Sequence, residues 1–274
     1  MTRGGTTGLA RYAAHDGAEI AYLDEGEGPL VVLLHGFGSE HHENWVDTGV
    51  VAGLVAAGRR VVAPDARGHG ASARPHDPAA YAGNVMVGDA RALLDHLGVT
   101  EPRSVDVAGY SMGSVVASRW VPEDPRVRSV VLAGVGDHIA DGMRNLVKGT
   151  VAPVLLAEDD SKLAPLIRDM RRSLADKGND LAALAALDTA GQADPTPEHL
   201  AGMGVPTLVL AGDADYLVGS PADLAARIPG ARWRTVPGDH LTACATPAFA
   251  AAVVGFVTSP TDPAPTQQSE DPAP

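Results

Sequence analysis

The sequence predicts an α/β fold, a doubly wound and mostly parallel sheet with a helical cap inserted late in the chain. Three observations predict it. Short, continuous apolar runs rich in Val and Leu alternate with longer stretches of helical periodicity. Those runs are bounded by Gly, Pro or Asp, and unbroken apolarity suits strands covered on both faces. One stretch, 137–203, keeps the helical pattern without a convincing strand.

In chain order, segments 11–14 and 19–23 flank Asp16-Gly17 and read as a hairpin at the sheet edge. Runs 30–34, 60–63, 104–108, 127–133 and 207–211 read as buried strands, with a last strand at 233–236. Helical patterns at 46–57, 85–97, 112–121, 221–228 and 247–257 lie between and after them. Within 137–203, Leu163, Leu166, Ile167, Met170 and Leu174, then Leu181, Leu184 and Leu187, recur at helical spacing. That spacing predicts core-facing helices whose inner side lines an apolar pocket. The domain reading is a core of 1–136 and 204–257, a cap of 137–203, and a disordered tail of 258–274 that is rich in Pro, Ser and acid.

Net charge is −13, from 34 acidic against 21 basic side chains, and no dense Lys/Arg run interrupts it. Long-range repulsion therefore disfavours nucleic acid and anionic membranes as partners. A single cysteine, Cys244, excludes an intrachain disulfide and fits a reducing compartment. The first fourteen residues lack the apolar stretch of a signal peptide, and no run is long enough to span a bilayer. A cytoplasmic protein is expected.

Chemistry enters at Gly109-Tyr110-Ser111-Met112-Gly113, a G-x-S-x-G pattern between an apolar strand and a helix. A strand, a tight turn and a helix would hold the Ser111 oxygen in an exposed, strained position, with flanking glycines where side chains would collide. Serine is a poor nucleophile near neutral pH and needs a base. Of ten histidines, His240 follows the last strand in Pro237-Gly238-Asp239-His240 and so emerges on the same side as the serine. The acid that orients it should follow a strand end. Asp215 is preferred, with Asp137 and Asp213 as alternatives, because Asp213 directly follows a Gly turn and suits backbone N–H groups.

Two glycine motifs complete the reading. His35-Gly36-Phe37-Gly38 would offer a backbone N–H, that of Phe37, and with the N–H of Met112 it would form an oxyanion hole. Asp65-Ala66-Arg67-Gly68-His69-Gly70 reads as a rigid polar turn that ties loops together. His41-His42-Glu43 reads as a solvated helix start and not as a metal site, since adjacent histidines diverge and no third ligand is near in sequence. No cofactor and no metal are expected.

With these residues in hand, the chain resembles the α/β-hydrolase superfamily from about residue 12 to 257. It carries HGFG, DARGHGAS, GYSMG, GDAD and a late GDH in the family's order. The resemblance implies that Ser111, Asp215 and His240 are nucleophile, acid and base, with Phe37 and Met112 as oxyanion donors. Ser114, where many relatives have a second Gly, and the polar 40–43 stretch depart from the family pattern. A serine nucleophile implies acyl transfer. The expected function is hydrolysis of a carboxylic ester of a small or medium acyl substrate. C–C hydrolase, lactonase, aminopeptidase and cofactor-free perhydrolase activities stand as alternatives, and a non-catalytic receptor is a more distant one.

Overall fold

The computed structural model describes residues 8–140 and 149–260. Eight strands build one sheet: β1 (Ala10–Ala13), β2 (Glu19–Glu25), β3 (Leu30–Leu34), β4 (Arg60–Pro64), β5 (Val105–Tyr110), β6 (Val127–Ala133), β7 (Thr207–Gly212) and β8 (Arg232–Val236). Their spatial order is β1-β2-β4-β3-β5-β6-β7-β8. The pairs β1–β2 and β2–β4 are antiparallel and every later pair is parallel. The expected edge hairpin is present, and the central strands are buried along their whole length.

Alternate strand residues feed two apolar layers. Val32, Val62, Val107, Leu132 and Val209 face one side. There they meet Leu93 and Leu94 of α2 (Val85–His96) and Val115 and Trp120 of α3 (Met112–Trp120). Val31, Leu33, Val61, Val131 and Leu210 face the other. That layer is closed by Leu54 of α1 (Val50–Ala56) and by Phe249, Val253 and Phe256 of the C-terminal helix Pro247–Thr258. Burial on both faces is the physical reason these strands read as continuous apolar runs.

Three differences from the sequence reading have local causes. The helix expected at 46–57 is split into a π-helical turn, His42–Val46, and α1, because Gly49 between them is left-handed at φ 79°. The region after β6 contains four described α-helices: α4 (Ala152–Leu155), α5 (Pro165–Asp176), α6 (Leu181–Ala190) and α7 (Pro197–Ala201). Of the two long helices, α6 behaves as a core helix, burying Leu184, Ala185, Ala186 and Leu187. Helix α5 buries no residue, and Leu166 is 79% exposed. Its apolar stripe meets no layer beneath it along most of its length.

The third difference is at the C-terminal end. After α8 (Pro221–Ala226) and β8, the last helix, α9, is Pro247–Thr258, and the carbonyl of Pro260 accepts from the Arg232 guanidinium at 2.6 Å. Ordered packing thus passes the expected boundary at 257. The rest of the expected tail, and 141–148 of the expected cap, lie outside the described residues. Among the described residues no helix is long and apolar enough to cross a membrane.

Candidate active site

Parallel pairing delivers the three predicted polar residues to one place. Tyr110 at the end of β5 pairs with Ala133 of β6, and Ser111 is the next residue. Gly212 of β7 pairs with Val236 of β8, so the loops beyond them, carrying Asp215 and His240, leave the sheet side by side. Those loops are laced together: Asp213 N–H donates to Val236 O at 2.8 Å and Ala214 N–H to Gly238 O at 3.0 Å. All three groups sit beyond the carboxyl ends of parallel strands, where ligands of open α/β sheets bind.

Ser111 has φ 49° and ψ −107°, a region that costs a non-glycine residue about 1–3 kcal/mol. The turn is sharp enough that a Cβ on Gly113 would fall 2.1 Å from the carbonyl oxygen of Leu34. A Cβ on Gly109 would fall 2.5 Å from the backbone of Gly113. The two glycines therefore permit the strand–turn–helix contact that holds Ser111 in place.

His240 bridges the other two residues. Its Nε2 lies 3.0 Å from Ser111 Oγ and its Nδ1 lies 2.8 Å from Asp215 Oδ2. With Nδ1–H donating to the carboxylate, Nε2 is left to accept the serine hydroxyl. The Asp215 carboxylate is buried, and among the described residues its Oδ1 has no hydrogen-bond partner. The alternative acids are engaged elsewhere: Asp213 accepts Gly238 N–H at 3.0 Å and Asp137 accepts Ser220 N–H at 2.7 Å. The structure brings Asp215 alone of the three to His240.

The expected oxyanion donors flank the serine. Met112 is the first residue of α3, so its N–H has no partner within the helix. Phe37 lies in the turn after β3, where its N–H has no acceptor among the described residues. A Cβ on the preceding Gly36 would lie 3.6 Å from Cβ of Ser111, which shows how closely that turn abuts the serine.

Beneath the turn is a buried polar network that the DARGHG segment supplies. His35 Nδ1 donates to Gly36 O at 2.8 Å, and its Nε2 accepts Ala66 N–H at 2.9 Å. His69 Nε2 accepts Gly38 N–H at 3.0 Å, and its Nδ1 donates to Arg67 O at 3.1 Å. Each ring must be neutral to make both bonds. Burial holds the His35 pKa below its ordinary value, and burial with the neighbouring His35 pushes His69 down to about 3. Arg67 is fully buried, forked onto Asp89 at 2.6 and 2.7 Å and bonded to Asp16 at 2.8 Å.

The 40–43 stretch differs from its sequence reading. His42 is half exposed, but His41 is buried, with its Nδ1 2.7 Å from Asp65 Oδ1. The turn after β3 folds back onto the loop after β4, and that contact is invisible to local sequence. Glu40, His41 and Asp65 bring three possible ligand atoms together. Asp65, however, already accepts from His41 N, His41 Nδ1 and Ala71 N. Burial raises the Asp65 pKa, but the His41 bond, the neighbouring His35 and His41 rings and the Ala71 N–H together outweigh it and leave the carboxyl below the usual carboxylate range. A hydrogen-bonded joint between loops accounts for this cluster.

Sequence reasoning missed Tyr110, Asn44 and Asn179. The Tyr110 hydroxyl donates to His240 O at 2.7 Å, Asn44 Oδ1 accepts Gly36 N–H at 2.8 Å, and Asn179 Nδ2 donates to Gly38 O at 3.0 Å. Only Tyr110, inside the serine motif, carried a local signal. Tyr216 and Leu217 after Asp215, and Leu241 after His240, are exposed and give the site an apolar rim. A cavity of about 40 Å³ beneath the turn is lined by Leu34, His35, Met112, Gly113 and Val116 among others. It has room for water molecules but not for an acyl chain.

Comparison with known proteins agrees with this architecture. The profile of the family described as "Alpha/beta hydrolase family" matches residues 31–254. A non-heme chloroperoxidase of Kitasatospora aureofaciens is 30% identical over 254 residues, covering 81% of this chain and 88% of that protein. Among solved structures, a hydrolase from Pseudomonas aeruginosa superimposes with TM-score 0.73 at 29% identity, over 92% of this chain and 99% of that one. The enol-lactonase from Burkholderia xenovorans does so with TM-score 0.66 at 26% identity, over 91% and 100%.

Proposed function

From the premise that the chain belongs to the alpha/beta hydrolase family, we propose that it is a serine hydrolase cleaving the carboxylic ester of a small or medium acyl substrate. The observation that carries this reading is the line Asp215–His240–Ser111, with contacts of 2.8 and 3.0 Å, ending on a serine held at φ 49°. Ser111 Oγ attacks the ester carbonyl while His240 Nε2 takes its proton. Charge develops on the carbonyl oxygen and is met by the N–H groups of Phe37 and Met112. Collapse expels the alcohol, protonated by His240, and leaves an acyl group on Ser111. Water, deprotonated by the same imidazole, then releases the acid and restores the serine.

Asp215 fixes the tautomer and stabilises the imidazolium. The apolar rim of Tyr216, Leu217 and Leu241 supports a substrate with a hydrophobic portion. A second reading uses the same three residues on a lactone or as a perhydrolase. The likenesses to an enol-lactonase and to a non-heme chloroperoxidase favour it.

The test is direct. Wild type should hydrolyse p-nitrophenyl esters and be labelled by a fluorophosphonate at Ser111, and Ser111→Ala should lose both while keeping its melting temperature. Labelling at another serine sinks the assignment. Rates on graded esters beside a lactone panel, and on ester with added peroxide, choose between the readings.

A further inference from the structure

The turn that presents Phe37 is fixed peptide by peptide. The Gly36 carbonyl, which points opposite to the Phe37 N–H across their shared trans peptide, accepts from His35 Nδ1 at 2.8 Å and from Ser39 N–H at 3.3 Å. The next peptide is held through Gly38 N–H on His69 at 3.0 Å. The peptide after that is held through Gly38 O, which accepts from Asn179 Nδ2 at 3.0 Å. The two histidines belong to the loops after β3 and β4. Asn179 belongs to the region between β6 and β7 and closes the turn after α5, where its side chain also donates to Leu174 O at 3.1 Å.

The same region grips the Phe37 side chain, which packs with Leu174 and Leu181 against Ala152, Leu155, Leu184 and Ala185. The turn is further moored by Lys177 to Glu43 at 3.0 Å and by Arg74 to Gly178 O at 3.3 Å. Those contacts are exposed and do not touch Gly38. Among the described residues between β6 and β7, Asn179 is the one that hydrogen-bonds the backbone beside the oxyanion donor.

We infer that Asn179 is a positioning residue for the Phe37 N–H, so that the helices between β6 and β7 set the strength of transition-state stabilisation as well as access to Ser111. The inference rests on the acyl-transfer reading. Phe37 N–H is useful only if it points at the position the oxyanion will occupy, and a displacement on the order of 1 Å in a catalytic group can cost about 10²-fold. Removing Asn179 leaves the donor present but less well fixed, so the loss should fall short of the 10²–10³ seen when a donor is deleted.

The experiment compares wild type, Asn179→Ala, the isosteric Asn179→Asp and the control Lys177→Ala. Sites are counted by fluorophosphonate labelling taken to completion. The expected result for both Asn179 variants is a loss of about tenfold or more in kcat per labelled site, with KM changed less than about twofold. Affinity for a trifluoromethyl ketone, whose adduct places an oxyanion in the hole, should fall in parallel with kcat/KM. Lys177→Ala should match wild type per site. If the Asn179 variants lose only melting temperature or the number of labelled sites, with per-site kcat and ketone affinity unchanged, Asn179 is merely structural and the inference is overturned. If wild type itself is not labelled at Ser111, the acyl-transfer reading has failed and the inference falls with it.

Discussion

At the scale of single residues, three acids make the sharpest comparison. Asp215→Asn should lower kcat by about 10³–10⁴ while leaving the fold intact, since the amide favours the wrong imidazole tautomer. Asp137→Asn and Asp213→Asn should act on melting temperature instead, because their carboxylates hold the backbone at Ser220 and Gly238. A large kcat loss confined to either would move the acid. His69 supports a second test, on stability. Its folded pKa of about 3 lies below the ordinary value near 6.5, so the unfolded chain takes up the proton first as pH falls. Its contribution is complete above about pH 6.5 and is lost progressively toward pH 3. His69→Gln keeps an acceptor for Gly38 N–H but does not titrate. Urea titrations from pH 7 to 4 should show wild type losing stability relative to this variant by up to about 1.4 kcal/mol per pH unit. Parallel curves would show that His69 is not the group responsible. Ser111, Asp215 and His240 were legible in sequence because each follows a strand end inside a short motif. Asn44 and Asn179 were not, since their roles come from contacts 8 and 141 residues away.

At the scale of elements, burial separates helices that periodicity alone could not. Leu166 of α5 is 79% exposed, whereas Leu184 of α6 is fully buried. Leu184→Ala should cost about 2–5 kcal/mol and Leu166→Ala within about 0.5 kcal/mol, measured by chemical denaturation. Comparable losses would place α5 in the core after all. Apolar spacing states which face of a helix is hydrophobic, but not whether a layer lies beneath it. The loop after β4 behaves as an element in its own right. Arg67→Ala would strand the buried Asp89 carboxylate and should cost about 3–5 kcal/mol, while Arg67→Ala combined with Asp89→Ala should cost less than the sum of the two. Strict additivity would mean that the pair is not coupled. The DARGHG segment announced a polar turn in sequence. Its service to the Phe37 turn, through His35 and His69, becomes visible only when β3 and β4 lie side by side.

At the scale of the whole molecule, the sheet is what makes the site. The order β3-β5-β6-β7-β8 places the ends of β5, β7 and β8 on one edge, so residues up to 129 positions apart meet within 3.0 Å. That much was legible, since unbroken apolar runs alternating with helices admit few arrangements and ligands gather beyond the strand ends. The region between β6 and β7 was less so, because its helices are positioned by contacts to loops and not by strand pairing. β6 and β7 pair in parallel, Val130 opposite Thr207, so whatever joins them must start at one edge of the sheet and return to the other. Ser111, Asp215 and His240 all lie outside that segment, in the turns after β5, β7 and β8. A segment transplanted from a homologue that has no asparagine at this place would arrive without the amide that reaches Gly38. Chimeras of this kind that fold should turn over slowly, until an asparagine is restored where it can reach Gly38.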